Sequence, residues 1–214
     1  MRGGTNMNQI IGKEIRLTGK TYFQNENFQI EKGTYLVVFG RNLSGKTLFA
    51  KFLLGEIPFD GWLYVEKGIY TNENRKQLKK KIGYFSFQTE IFSSKKTLYE
   101  IIKEVEPDSE QRKKAIRNFK WKDKLNDSYE TLSYDDKRLV TFYLSMIGKN
   151  ILILDEPFLE FSEYGKKIIS TVLKRINRKK ITILFMTNQV ENILLGKEYM
   201  VFDHGKVISR KRTE

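Results

Sequence analysis

The chain has 214 residues, 40% hydrophobic and 30% charged, with no cysteine: enough for one domain with a sizeable core, and no disulfide framework or thiolate metal site. No apolar run is long enough to span a bilayer, and the N-terminal residues lack the order of a signal peptide, so a cytosolic protein is expected. The net charge of +13 fits a lysine-rich solvated surface, an anionic cytoplasmic membrane face or nucleic acid, and charge alone does not choose among them.

Met1–Gln9 is polar and reads as poorly ordered. Ile10–Leu17 and Asn27–Ile30 read as short strands, and Glu31-Lys32-Gly33 as a turn. Tyr35–Phe39 is a continuous apolar run, the pattern of a buried strand. Residues 40–47 then read Gly-Arg-Asn-Leu-Ser-Gly-Lys-Thr, a full match to the phosphate-loop pattern G-x-x-x-x-G-K-[ST]. Thr47–Leu54 has helical spacing of apolar residues. Strand, glycine-rich turn and helix together predict a concave anion site. Backbone N–H groups of Gly40, Arg41, Asn42, Leu43, Ser44 and Gly45 line it, and the helix N-terminus adds positive potential. Lys46 supplies a point charge to the outer phosphates, and Thr47 a hydroxyl ligand for Mg²⁺.

Pro58–Gly61 reads as a turn and Trp62–Val65 as a strand. Arg75–Lys81 is a basic helical turn, and Ile82–Gln88 a strand ending at glutamine. From Thr97 to Lys124 the pattern is helical and highly charged. Thr97 caps a helix carrying Leu98, Ile101, Ile102 and Val105; Pro107-Asp108-Ser109 restarts a second one carrying Ala115, Ile116 and Phe119. Leu132–Ile147 is a further helix. Ile151–Leu154 is an apolar strand that runs into Asp155-Glu156-Pro157. Ligands of open α/β sheets sit at the carboxyl ends of strands, so Asp155 is placed to hold a Mg²⁺ shell and Glu156 to polarise an attacking water. Tyr164–Ile176 is a helix, Ile181–Met186 and Met200–Phe202 are strands, and Asp203–Lys206 is a hairpin turn that leaves His204 exposed and outside the chemistry. No internal repeat or low-complexity linker is present.

In their order, these motifs resemble the ATP-binding-cassette family across nearly the whole chain. The resemblance implies an α/β fold, a P-loop NTPase core with a mixed sheet and an antiparallel β subdomain, plus an α-helical insertion. It implies one domain, with a core lobe of about 10–88 and 139–214 and a helical subdomain of about 89–138. It implies ATP and Mg²⁺ as cofactors and a head-to-tail dimer, homodimeric or heterodimeric. The partners would be integral membrane transporter subunits on the cytoplasmic face. Residue by residue, Gly40, Asn42, Ser44, Gly45, Lys46 and Thr47 match the phosphate loop. Gln88 matches the glutamine that senses the metal, Asp155 the metal-binding carboxylate and Glu156 the catalytic one.

The departures from the family pattern are specific. Leu43 stands at a usual glycine, which costs strain if φ is positive there. Leu132-Ser133-Tyr134-Asp135-Asp136 replaces the signature Leu-Ser-Gly-Gly-Gln. Ser133 remains as a helix cap and as a candidate phosphate donor, while two carboxylates suit a helix N-terminus and repel a γ-phosphate. Asn188 stands where the switch histidine is expected; it can hydrogen-bond a phosphate but carries no proton. Glu160 and Ser162 replace the small residue and aspartate usual after the Asp-Glu-Pro strand. Tyr22 is the nearest candidate for a base-stacking aromatic, with a core or strand role as its alternative. These departures predict tight ATP binding with slow hydrolysis, or an ATP-switched regulator of a membrane complex. A nucleic-acid ATPase is favoured by charge alone, since no stacking platform or second cassette is present.

Overall fold

The computed structural model describes residues 8–21 and 23–213. In chain order the elements are β1 (Asn8–Leu17), β2 (Gln24–Glu31), β3 (Tyr35–Phe39), α1 (Lys46–Leu53), β4 (Phe59–Val65), β5 (Gly68–Tyr70), α2 (Leu78–Lys81) and β6 (Ile82–Ser86). Then follow α3 (Leu98–Val105), α4 (Ser109–Phe119), α5 (Tyr134–Met146), β7 (Ile151–Asp155), α6 (Glu163–Arg178), β8 (Thr182–Thr187), β9 (Glu198–Asp203) and β10 (Lys206–Arg212). An antiparallel sheet has the order β2-β1-β4-β5 and a mixed one the order β10-β9-β3-β8-β7-β6. In the mixed sheet β6, β7, β8, β3 and β9 run parallel, and β10 closes the edge antiparallel to β9. The expected α/β architecture with an antiparallel β unit and helical elements is what the chain forms.

The apolar runs have the consequence expected of a sheet covered on both faces. All of β7 and β8 is buried. Successive side chains point to opposite faces, so Leu36, Val38, Ile151, Ile153, Leu184 and Met186 enter one core. That core is shared with α1 and the antiparallel sheet, and Phe49 and Phe52 of α1 meet Phe28 and Phe59 edge-on within it. Val37, Leu152, Leu154, Ile183 and Phe185 enter the second core, with α3, α4, α5 and α6. Trp121 and Phe119 stack there at 4.5 Å.

Local chemistry fixes the helix starts. Thr97 and Glu100 make a reciprocal capping box at α3. Asp108, Ser133 and Ser162 cap α4, α5 and α6.

Three expectations are corrected. Pro58–Gly61 is not a turn: β4 already begins at Phe59, and Gly61 (φ 99) lies inside it opposite an irregularity in β1. A Cβ on Gly61 would approach the carbonyl oxygens of Lys13 and Glu14 to 2.6 Å, so close strand approach explains that glycine. Asn8 and Gln9, read as poorly ordered, open β1; Gln9 is buried, and its side-chain oxygen accepts from the Thr182 hydroxyl. Residues 1–7 lie outside the described residues. Finally, β6 ends at Ser86, and Gln88 sits in the following turn, closed by Thr89 N–H to the Ser86 carbonyl at 3.1 Å. Among the described residues no helix is long and apolar enough to cross a membrane.

Candidate active site

The loop between β3 and α1 is held from three sides. Gly40 N–H donates to the Thr187 carbonyl at the end of β8 (3.1 Å), and Ser44 N–H to the Arg41 carbonyl (3.1 Å). Gly205, in the β9–β10 hairpin, donates to the Ser44 carbonyl at 2.7 Å. Gly45 has φ 104, and a Cβ on it would stand 3.0 Å from the Gly205 Cα, so glycine is required there both by conformation and by space. Leu43 has φ 65, so the conditional strain at this position is present; a left-handed non-glycine residue costs about 1–2 kcal/mol. Its side chain is 90% exposed at the loop tip.

Lys46 is buried, and its ammonium donates to the carbonyls of Gly40 (2.7 Å) and Arg41 (3.2 Å). It stands 3.6 Å from the Glu156 carboxylate. The loop thus carries a fixed cation inside its curve. Thr47 donates its hydroxyl to Asp155 Oδ2 at 2.7 Å. Asp155 is buried, and Oδ1 has no hydrogen-bond partner; the Ser44 hydroxyl is likewise buried without one. Burial raises the Asp155 pKa, with the Thr47 hydroxyl and the Lys46 and Lys51 charges opposing. Glu156 follows at φ 48, its N–H bonded to the Met186 carbonyl at 2.9 Å. Burial raises its pKa too, against the Lys46 charge and against hydrogen bonds from the Thr187 hydroxyl and the Asn188 N–H; the Asp155 charge raises it further.

An orphaned carboxylate oxygen whose sister oxygen holds the Thr47 hydroxyl is a set of hard oxygen donors, which fits Mg²⁺. Among the described residues no group of three His, Cys, Asp or Glu side chains could hold a metal. One or two protein oxygens completed by phosphates and water is the Mg²⁺ pattern, so the residues present fit that ion.

These groups line a cavity of about 790 Å³ that includes Asn42–Leu48, Asp155, Glu156 and Asn188. Asn188 reaches the loop directly: its side-chain N–H donates to Asn42 Oδ1 at 2.8 Å. Gln88 is exposed, and its neighbour Phe87 lines the cavity instead. Lys20 and Leu159, which the sequence did not single out, also line it. Tyr22 lies outside the described residues. His204 is exposed and pairs with Asp203 at 2.9 Å.

Ser133 does not line this cavity. Its hydroxyl accepts from Asp136 N–H at 3.2 Å and donates to the Asp136 carboxylate. Asp136 is buried and also takes the Lys124 ammonium, at 2.5 Å. The other departures pair with one another. Tyr134 donates its hydroxyl to Glu160, and Asp135 accepts from the Ser162 hydroxyl and, at 3.2 Å, from Ser162 N–H. Four residues noted separately as unusual therefore form two contacts between α5 and the loop after β7.

Sequence reasoning also missed Arg138, which is buried on α5. Its guanidinium donates to the carbonyls of Ser86 (2.9 Å) and Thr89 (2.5 Å), on either side of Gln88, and lies 4.6 Å from the Phe85 ring centroid. An arginine inside an otherwise apolar helical face was the available signal.

A family model described as ABC transporter matches residues 23–159. The energy-coupling factor transporter ATP-binding protein EcfA1 of Fusobacterium nucleatum is 30% identical over 218 residues, covering 94% of this chain and 80% of that protein. The cytochrome c biogenesis ATP-binding export protein CcmA of Reclinomonas americana is 29% identical over 186 residues, covering 82% of each. Among solved structures, an ATP-binding cassette of an ABC transporter in its ADP conformation gives a TM-score of 0.78 at 19% identity, covering 97% of this chain and 92% of that one. The structure of cbiO1 from Clostridium perfringens, part of the ABC transporter complex cbiONQ, gives 0.78 at 19% identity, covering 96% and 88%. The structural likenesses carry the fold; the family model and the EcfA1 relative carry the family. The chain belongs to the ABC transporter family, as an ATPase of its ATP-binding-subunit kind.

Proposed function

We propose that this chain binds Mg-ATP at residues 40–47 and couples its hydrolysis to separate membrane subunits of a transporter. The observation that carries the reading is the Thr47–Asp155 hydrogen bond, which brings the first residues of α1 and the end of β7 together beneath the phosphate loop. Backbone N–H groups of the loop and Lys46 hold the phosphates, and the helix N-terminus favours their charge. Thr47 and Asp155 would hold Mg²⁺, which neutralises developing phosphate charge when bound. Glu156 accepts a proton from the attacking water; its burial makes it a stronger base than an exposed carboxylate. Asn188 takes the switch position and hydrogen-bonds, without carrying charge. Gln88 would report on the metal from the turn after β6.

Ser133 would serve the nucleotide of a dimer partner, because it lies outside this chain's own cavity. Its hydroxyl is engaged by Asp136, and Tyr134 and Asp135 are engaged by Glu160 and Ser162. Losing one preorganised donor costs about 10²–10³ in rate, which supports slow hydrolysis. Those same contacts favour the second reading, an ATP-switched regulator with little turnover. The intact Glu156 favours the first. A heterodimer with a regular cassette would leave one composite site with a full signature. The segment 89–138, inserted in the core lobe of 10–88 and 139–214, would receive the membrane subunit on the cytoplasmic face. The membership of cbiO1 in the transporter complex cbiONQ supports such separate chains.

Glu156→Gln keeps the loop and removes the base. ATP binding, read with a fluorescent analogue, is expected to persist while steady-state phosphate release is lost. Undiminished release by the variant would remove Glu156 from the mechanism.

A further inference from the structure

Charge on this molecule is unevenly placed. Segment 109–124, which contains α4, has seven lysines and arginines against two carboxylates; segment 163–180, which contains α6, has seven against one. Together they carry +11 of the net +13, so the rest of the chain is nearly neutral. The two segments are distant in sequence and packed together in space. Ala115 and Phe119 of α4 and Ile168, Ile169, Val172 and Leu173 of α6 share the second core. Arg175 donates to Asn118 Oδ1, and the Lys120 ammonium lies 5.7 Å from the Tyr164 ring centroid.

With the apolar faces turned inward, Lys113, Lys114 and Arg117 of α4 and Lys174, Arg175 and Arg178 of α6 are left to solvent. Glu110 and Glu163 pair with Lys113 and Lys166 at 2.9 and 2.8 Å, each in a first helical turn. Lys113 and Arg117, and likewise Lys174 and Arg178, are four residues apart on one helix. Like charges at that spacing weaken a helix, so fold stability alone does not account for them.

We propose that the α4–α6 face binds the anionic surface of a lipid bilayer directly. Each lysine or arginine near such a surface adds to the attraction, and a spread of cations suffices. Nucleic acid asks for more: a groove that tracks the backbone and aromatic faces for bases. The cavity at the phosphate loop and the two clefts beside β10 are lined by other residues, and the ring of Tyr164 already carries Lys120. The choice of lipid rests on the membrane reading above; the charge concentration does not.

The test is flotation of the purified chain with phosphatidylcholine vesicles made with and without phosphatidylglycerol. Binding is expected to the anionic vesicles only, and to fall as salt is raised. The variant Lys113→Glu, Lys114→Glu, Lys174→Glu, Arg178→Glu should weaken it at least about a hundredfold. A control of equal charge change, Lys76→Glu, Lys80→Glu, Lys206→Glu, Lys211→Glu, should stay within about tenfold of the parent. Fluorescent-ATP affinity, read on every variant, verifies folding and tests the ATPase reading separately; the same four helix positions changed to glutamine give a milder second series. No binding to anionic vesicles, or equal loss in helix and control variants, would overturn the proposal. So would preferential binding of single-stranded RNA by the same four residues, which would assign the face to nucleic acid.

Discussion

Glu156 illustrates how one residue is placed at a cost to the fold. It is held at φ 48, largely buried beside Asp155, with Lys46 at 3.6 Å as its nearest cation. Its folded-state pKa lies above the unfolded value, so the stability it contributes is full at pH below the unfolded pKa and is lost as pH rises through the folded one. At neutral pH the ionised side chain is therefore a net burden on the nucleotide-free protein. Glu156→Gln should raise the thermal midpoint at pH 7, with the gain shrinking as pH falls into the carboxylate range; scans across that range would check it, and a gain independent of pH would contradict the assigned cause. That Gly40–Thr47 would meet Asp155 and Glu156 was legible in the sequence, because each lies in a contiguous motif at the carboxyl end of an apolar strand. The links between Tyr134 and Glu160, and between Asp135 and Ser162, were not legible. Each joins positions far apart in the chain, and each member alone reads as a departure.

Elements were read best where a local signal fixed them. Thr97, Asp108 and Ser133 announce helix starts, and the all-apolar runs of β3 and β7 could only be buried strands. β10 went unread because only Val207 and Ile208 are apolar in it and Ile208 is exposed, so no apolar alternation marks this basic edge strand. The start of β4 was misread because Pro58 and Gly61 carry turn chemistry, whereas Gly61 in fact serves strand contact. Through Arg138, α5 also holds the turn that carries Gln88. Arg138→Met would leave the Ser86 and Thr89 carbonyls without that donor and is expected to cost about 3 kcal/mol. Urea denaturation of Arg138→Met and Arg138→Lys would measure it. Partial recovery is expected with lysine, and equal stability of all three proteins would show that the turn does not depend on this contact.

On the scale of the whole molecule, two cores share one sheet, and the phosphate loop, Asp155, Glu156 and Asn188 meet at the carboxyl ends of its strands. The segment of residues 132–136 lies away from that cavity, so in the proposed head-to-tail dimer one chain would hold parts of two composite sites. In that proposed dimer, the acidic residues beside Ser133 would make a partner with a regular signature the better complement for residues 40–47. Segments 109–124 and 163–180, which contain α4 and α6, carry +11 of the net +13. A transporter role is tested by affinity purification from gently solubilised native membranes, with mass spectrometric identification of what is retained. A stoichiometric polytopic membrane protein together with a second cassette subunit is the predicted result. Recovery with soluble proteins or nucleic acid alone would contradict a transporter role.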